Sequence, residues 1–146
     1  MKRLLYLLII SAIFVSIPIA SQAQCKGFAK KICRLELDPY IHDGNYHAAI
    51  LTEGEEAELY KTFYSDQDYR IAICGTDDLP EIEFTIMDAN KTVLYTNKDK
   101  DFKRTWDFKL VSSQQLKIAV KVPVRAGSPE EPNSGCVAIM FGLKVK

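Results

Sequence analysis

Two kinds of hydrophobic pattern divide the chain near residue 47. An almost unbroken apolar run covers residues 4–17, and the segment "CKGFAKKICRLEL" follows it at residues 25–37. In that segment Phe28, Ile32 and Leu35 recur at roughly helical spacing. After "DPYIHDGN" the pattern changes to short runs separated by Gly, Pro, Asn and Asp, which are typical of strands and turns. The chain therefore predicts a short N-terminal helical segment followed by β-structure.

The β-structure is predicted to form two packed antiparallel sheets. Ile82, Phe84 and Ile86 alternate with polar neighbours, as expected of strands with one buried and one wet face, which belong to antiparallel sheets. "SDQD" and "DANK" are hairpin signals that join successive strands tightly, and the long loop "RAGSPEEPNSG" suits a Greek-key return. The predicted fold class is all-β, a jelly-roll-like sandwich of about eight strands with a short N-terminal helical segment. The strands are expected at residues 48–53, 57–64, 69–74, 81–88, 92–97, 105–112, 116–124 and 136–145.

The first 23 residues have the features of an export signal. Lys2 and Arg3 precede an apolar run that is too short to span a bilayer. Ser21 and Ala23 are small residues at the positions that a signal peptidase reads, so Gln24 is the expected first mature residue. We predict a signal peptide at 1–23, a helical and turn segment at 24–47 and a β-sandwich domain at 48–146. The chain is expected to be secreted or periplasmic, with no transmembrane segment in its mature part.

Cys25 raises the alternative of an envelope lipoprotein. A lipidated cysteine directly follows a small residue, Gly, Ala or Ser, whereas Cys25 follows Gln24. The bulky polar amide does not fit that motif, so the sequence favours an oxidised Cys25 over an acylated one.

Length and charge narrow the classes of function. The chain has 19 basic and 19 acidic side chains, and the signal contains two of the basic ones and no acid. The mature part is therefore slightly acidic, and nucleic acid is not an expected partner. Its 123 residues are enough for one domain with one core.

The four cysteines predict two disulfides, since export leads to an oxidising compartment. Jelly-roll order places the third predicted strand beside the eighth, which brings Cys74 next to Cys136, both pointing outward. Cys25 and Cys33 are then left to each other. A continuous helix would hold those two residues about 12 Å apart, so that second pair requires a bend at Gly27.

Residues 48–145 resemble a known family of secreted modules. The stretches that carry the resemblance are "LTEGEEAELYKTFYSDQDYRIAICG" and "EIEFTIMDANKTVLYTN". They look like the bacterial pre-peptidase C-terminal type of β-sandwich, and "HDGNY", "AELYKTFYS" and "GCVA" are similar to small secreted bacterial proteins of unknown function. The resemblance implies a jelly-roll fold and no activity.

Catalytic chemistry finds little support in the sequence. His42, Asp43 and His47 could bind zinc or serve as a general base, but their spacing matches no helical zinc motif. Asp43, Gly44 and Asn45 are typical of a tight turn into the first strand. No serine lies in a Gly-x-Ser-x-Gly elbow. The sequence predicts a protein that is not an enzyme, with a metal-dependent hydrolase using His42, Asp43 and His47 as the alternative.

One acidic cluster is the candidate for a cation. Asp77, Asp78 and Glu81 could supply oxygen ligands to calcium, which secreted β-sandwiches bind in loops. Carboxylates beside a strand start are more often a solvated surface. No other cofactor is expected.

Aromatic side chains give the main indication of binding. Tyr60 and Tyr64 share one face of a predicted strand, and together with Tyr95 they could form an exposed surface that stacks on a sugar or a protein side chain. The alternative is that these tyrosines close the rim of the sandwich. The sequence predicts a secreted non-catalytic binding module whose partner is carbohydrate, protein or the envelope.

Overall fold

The computed structural model describes residues 20–127 and 131–145. One α-helix, α1 (Ala20–Lys31), is followed by a short 3-10 helix (Cys33–Leu37). Nine strands follow: β1 (Ile41–His42), β2 (His47–Thr52), β3 (Glu56–Phe63), β4 (Asp68–Gly75), β5 (Glu83–Met87), β6 (Val93–Thr96), β7 (Thr105–Lys109), β8 (Gln114–Lys121) and β9 (Ser134–Leu143). No helix among these described residues is long and apolar enough to cross a membrane.

The strands form two antiparallel sheets, so the predicted β-sandwich is confirmed. Sheet A has the order β1-β9-β4-β7, with β2 also paired to β9, and sheet B has the order β3-β8-β5-β6. The eight predicted strands correspond to β2–β9 and have the predicted jelly-roll order, while the two-residue β1 was not predicted. "DANK" joins the paired strands β5 and β6, so that hairpin is confirmed. The predicted hairpin at "SDQD" is wrong, because this turn carries the chain from β3 in sheet B to β4 in sheet A.

The main core lies between the inner faces of the two sheets. Aromatic rings close the side of the sandwich on which β6 and β7 lie. Tyr95 stacks on Trp106 with 5.2 Å between ring centroids, Trp106 on Phe108 at 4.3 Å, and Phe108 on Tyr69 at 5.5 Å. Such pairs stabilise beyond their buried area. The largest fully buried members of this core are Phe63, Phe84, Phe141, Ile71, Ile73, Ile86, Leu116 and Ile118.

Buried Asn97 ties the β6–β7 connection to the start of β5. Its side-chain oxygen accepts a hydrogen bond from the Phe84 N–H at 2.8 Å. Its amide nitrogen donates to the Ile82 carbonyl at 2.9 Å and the Lys103 carbonyl at 3.3 Å. Asn97 has no exposed surface, and its bonds to Phe84 and Ile82 satisfy buried backbone groups that water cannot reach.

A second, smaller core covers the outer face of sheet A. Helix α1 and the 3-10 helix pack there, and the buried members of this core are Ala29, Cys33, Leu37, Ala72, Cys74, Ala138 and Met140. Strands β4 and β9 are therefore buried on both faces, which explains their continuous apolar runs "IAIC" and "VAIMF".

Arg70 fastens the 3-10 helix to sheet A. It donates two hydrogen bonds to the Asp107 carboxylate, at 2.6 and 2.7 Å, and one each to the carbonyls of Asp38, at 2.6 Å, and Glu36, at 3.3 Å. Its guanidinium also lies 4.7 Å from the centre of the Tyr40 ring. The hydrogen bonds from Arg70 lower the pKa of Asp107, which keeps this carboxylate charged.

Two disulfides join the N-terminal helices to sheet A, so the prediction of two disulfides is confirmed and the predicted pairing is wrong. Cys25 bonds to Cys136 and Cys33 to Cys74, with Cα atoms 5.2 and 5.7 Å apart. Helix α1 is continuous past Gly27, so Cys25 and Cys33 cannot meet. Cys74 is paired in register with Ala138, two residues beyond Cys136, and each sheet cysteine instead bonds to the helical segment that covers it.

The predicted signal peptide lies mostly outside the described residues, and its last four residues begin helix α1. Cleavage after Ala23 stays a prediction. The Cys25 sulfur is bonded to Cys136, which leaves it no thiol for lipid attachment.

Candidate functional site

The side of the sandwich opposite the aromatic stack is formed by two strands at sheet edges. Strand β2 borders sheet A, where it pairs only with β9 among the described strands. Strand β3 borders sheet B and pairs only with β8 within the same part of the chain. An edge strand presents unpaired backbone groups to whatever approaches it. We call this side the open edge.

The alternation of hydrogen bonds along β2 shows which of its backbone groups point away from β9. The Glu53 N–H donates to the Asn133 carbonyl, in the direction of β9, whereas the Thr52 N–H donates to the Glu55 carboxylate on the opposite side. Because backbone direction alternates along a strand, the N–H and C=O groups of Ala48 and Ile50 point away from β9 as those of Thr52 do. They are therefore not used in the pairing of β2 with β9.

The two edge strands differ in charge. Strand β2 has the sequence "HAAILT", with no Lys, Arg, Asp or Glu, and Ile50 is 45% exposed. Strand β3 has the sequence "EAELYKTF", and its outward carboxylates Glu56 and Glu58 form ion pairs with Lys121 and Lys117 of β8. Charged side chains protect an edge from unwanted pairing. Only β2 of these two edges lacks that protection.

An apolar cleft of about 340 Å³ separates the two edge strands. Ala49 and Leu51 of β2 form part of one wall, and Ala57 and Leu59 of β3 form part of the other. Its remaining lining residues are Tyr46, His47, Ala48, Glu58, Val120, Val137 and Ile139. The cleft therefore offers apolar surface next to unpaired strand backbone.

His47 is the ionisable ring at this cleft. Burial lowers the pKa of His47 below its usual 6.5, and the nearby charge of Lys61 acts in the same direction while Asp43 opposes it. The ring contacts Phe141 edge-on at 5.6 Å. His47 is therefore neutral at pH 7.

The predicted hydrolase triad does not assemble on the cleft. Asp43 accepts hydrogen bonds from Lys61 Nζ at 2.8 Å and from the Asn45 N–H at 2.9 Å. Burial acts to raise the pKa of Asp43, but these bonds outweigh it and the pKa lies below its usual 3.8. His42 Nε2 is 2.9 Å from the Asn45 carbonyl, and of the three predicted residues only His47 lines the cleft.

The predicted aromatic surface is only partly present. Tyr60 is 56% exposed and Tyr64 is 65% exposed. Tyr95 is only 9% exposed, because it packs against Trp106 and Phe84 in the main core, so its inclusion in an exposed surface is wrong. Binding by the other two tyrosines stays a prediction.

The predicted calcium ligands lie on the surface. Asp77, Asp78 and Glu81 are exposed, and Asp77 and Glu81 line a small cavity of about 160 Å³ together with Arg104. Among the residues that the structure describes, no group of three or more His, Cys, Asp or Glu side chains is placed to hold a metal. Calcium binding stays a prediction without a ligand set.

The open edge is not among the sites predicted from the sequence. A signal was present, because β2 carries no charge while β3 carries three charged side chains. This difference in charge indicates a binding edge only if both strands lie at sheet edges. The predicted strand order already implied that they do.

Comparisons with known proteins show a similar fold. A scan against models of protein families gives no match, and a search of curated proteins also gives none. The periplasmic inhibitor of g-type lysozyme PliG from Aeromonas hydrophila is similar in structure, with 11% identity and a TM-score of 0.51, over 73% of this chain and 89% of that chain. PliG from Salmonella Typhimurium has 9% identity and a TM-score of 0.42, over 68% and 86%. The resemblance to the pre-peptidase C-terminal module stays a prediction.

Proposed function

We propose that this chain is a non-catalytic, extracytoplasmic protein-binding module whose partner adds an extended segment to the free edge of β2. The observation that carries the proposal is an uncharged edge strand beside an apolar cleft. In binding by strand addition, main-chain hydrogen bonds provide affinity and the side chains on one face provide specificity. The open edge offers both kinds of contact. The two disulfides agree with an oxidising extracytoplasmic compartment.

The free backbone groups define the length of the segment that would bind. Ala48 and Ile50 together offer two N–H donors and two C=O acceptors. Beyond them, Thr52 is already used, because its N–H donates to the Glu55 side chain and its carbonyl accepts the Glu55 N–H. The partner segment is therefore short, and its alternate side chains on the inner face are apolar, since they would meet Leu51 and Leu59 at the cleft.

The fold neighbour suggests the first partner to test. PliG from Aeromonas hydrophila is a periplasmic inhibitor of g-type lysozyme with a similar fold. A g-type lysozyme is a defined protein partner, and its hydrolysis of cell walls provides a direct readout.

Site-specific photo-crosslinking tests the proposal without assuming a partner. A photo-reactive phenylalanine analogue would replace Ile50 on the free edge or, as the control, Val111, which is 98% exposed and lies outside the open edge. In intact producing cells we expect a discrete protein adduct from position 50 and none from position 111. Absence of an adduct from position 50, or the same adduct from both positions, would contradict the proposal.

Purified g-type lysozyme tests whether this enzyme is the partner. We expect binding and slower cell-wall hydrolysis, both weakened in Ala48→Pro, which removes an outward N–H that β9 does not use. Ala48→Ser keeps that N–H and serves as the matched control. Loss of one such hydrogen bond corresponds to roughly five- to tenfold weaker binding. If wild-type chain does not bind, g-type lysozyme is not the partner, and the crosslinked adduct identifies another.

A further inference from the structure

The N-terminal segment has a different charge from the rest of the chain. Residues 24–37 contain four basic side chains and one acidic, whereas residues 38–146 contain thirteen basic and eighteen acidic. The four cations are Lys26, Lys30, Lys31 and Arg34, and all are exposed. Within the described part of the chain, none of them forms an ion pair. One end of the molecule is therefore cationic on a slightly acidic protein.

Most basic residues of the sandwich are arranged differently. Lys61, Arg70, Lys117 and Lys121 each lie within 4.0 Å of a carboxylate, for example 2.8 Å for Lys61 and Asp43. The lysines near the end of α1 also favour the helix dipole, but that effect extends only over the last turn and does not include Lys26. Helix stabilisation alone thus leaves the cationic surface unexplained.

Apolar side chains lie beside these cations. The Ile32 N–H donates to the Phe28 carbonyl at 2.9 Å, and the Leu35 N–H donates to the Ile32 carbonyl at 3.1 Å, so the three residues follow one another turn by turn. Ile32 is 52% exposed and Leu35 is 72% exposed, while Phe28 is half-buried. This part of the chain exposes apolar surface that the sandwich does not cover.

Helical spacing places both sets outside the buried side of the helix, with Lys31 next to the apolar residues. At 100° per residue, Lys26 and Lys30 lie on one flank and Phe28 and Ile32 on the nearly opposite flank, and Lys31 lies between them, about 60° from Phe28. The buried side carries Cys25 and Ala29 of α1 and Cys33 of the 3-10 helix, which face sheet A. A shallow groove of about 500 Å³ runs along this surface and includes Gly27, Phe28, Lys31 and Ile32. Lysines attract anionic lipid head groups, and exposed apolar side chains beside them can enter the interfacial region of a bilayer.

We propose that this surface of α1 and the 3-10 helix docks on an anionic phospholipid bilayer. Lysines would contact the phosphate groups, and Phe28, Ile32 and Leu35 would enter the interfacial region. The two disulfides hold this surface rigidly on sheet A, so docking would orient the whole sandwich. Lys26 lines a shallow cleft together with Ala48 of β2, so one side of this surface adjoins the open edge. Membrane docking goes beyond the proposed binding of a protein.

Vesicle co-sedimentation tests the proposal with the exported, disulfide-bonded chain. The probes are vesicles of phosphatidylcholine alone and vesicles of phosphatidylcholine with phosphatidylglycerol. We expect binding to the anionic vesicles only, with weaker binding at high salt. A basic residue near an anionic surface changes partitioning by about fivefold, so Lys30→Glu with Lys31→Glu should reduce it by more than about tenfold.

A charge-matched control separates a docking surface from net charge. Lys91→Glu with Lys109→Glu changes net charge equally, and both lysines are exposed on the sandwich. This variant should keep most of its binding, whereas Ile32→Ser with Leu35→Ser should weaken binding that persists at high salt. Inorganic phosphate at the same charge concentration should not compete. No binding to anionic vesicles, equal binding to both vesicle types, or equal loss in the two lysine variants would overturn the proposal. Unchanged thermal midpoints would show that the variants are folded.

Discussion

Removal of the Cys33–Cys74 disulfide should cost a large part of the stability of this protein. The bond closes a loop of 41 residues and lies in the second core, with both cysteines no more than 1% exposed. Loop-closure entropy gives about 4 kcal/mol for a loop of this length. A domain of this size has a total stability of roughly 5–15 kcal/mol, so the double variant Cys33→Ala, Cys74→Ala should be close to the limit of folding.

The Cys25–Cys136 bond provides an internal comparison. It closes a loop of 111 residues, for which the same argument gives about 5 kcal/mol. The cost rises only with the logarithm of loop length, so the two double-alanine variants should lose similar stability. Alanine keeps the Cβ atom at each position and limits the change to the sulfur atoms.

Urea unfolding at neutral pH measures both effects. Because a disulfide restricts the unfolded chain, each variant should show a lower midpoint and a steeper dependence of the unfolding free energy on urea. Peptide mapping without reduction checks the pairing in the parent chain. A loss below about 1 kcal/mol in both variants would contradict the predicted effect of the two disulfides on the unfolded chain. A peptide that joins Cys25 to Cys33 would contradict the pairing itself.

Three further predictions concern single sites. Asn97→Leu should lower the free energy of unfolding by about 3 kcal/mol, since two buried backbone groups and one partly buried backbone group lose their partner. Exposed Asn90→Ala should change it by less than about 0.5 kcal/mol, and urea unfolding compares the two variants. The pKa of His47 in the folded state lies below 6.5, so the unfolded state binds a proton at higher pH than the folded state does. Stability should therefore fall as the pH drops below about 6.5. In thermal scans between pH 7 and 5, His47→Gln should show a smaller fall. Equimolar zinc should leave the thermal midpoint unchanged, because Asp43 is bonded to Lys61 and no four-ligand set is present among the described residues; a zinc-dependent rise that disappears in His42→Ala would contradict this.

The strand order could be predicted because local and topological signals agreed. Alternation as in Ile82, Phe84 and Ile86 marked half-buried strands, and turn residues separated them at short intervals. The long loop before β9 indicated the return to the middle of a sheet. Because these features can be read from the sequence itself, the eight strands and their pairing could be predicted.

The predicted disulfide pairing is wrong because it assumes that the outer face of sheet A is solvated. The runs "IAIC" and "VAIMF" do not alternate, which means that both faces of β4 and β9 are buried. Some other segment must then cover the outer face, and residues 24–37 are the one helical segment that the sequence predicts. That inference would have paired Cys25 and Cys33 with the sheet.

The burial of Tyr95 could not be predicted, because its strand is too short for the sequence pattern to show which face is buried. Strand β6 has four residues, and exposed Val93 and Leu94 are as apolar as buried Tyr95. Polarity therefore does not identify the inner face, and the contact with Trp106 that buries Tyr95 joins two different sheets. The open edge could be predicted in part, since the strand order and the lack of charge in β2 both follow from the sequence. The cleft could not be predicted, because it depends on the spacing between the sheets.

Amide hydrogen exchange at β2, followed by NMR, shows whether a partner strand adds to the open edge. It is measured on the chain alone and with the protein that crosslinks to position 50. In the free chain, the amides of Ala48 and Ile50 should exchange rapidly, while those of Ala49 and Leu51 should be protected by their bonds to β9. In the complex, the amides of Ala48 and Ile50 should become protected. Strong protection of both amides in the free chain, or continued rapid exchange in the complex, would contradict strand addition at the open edge.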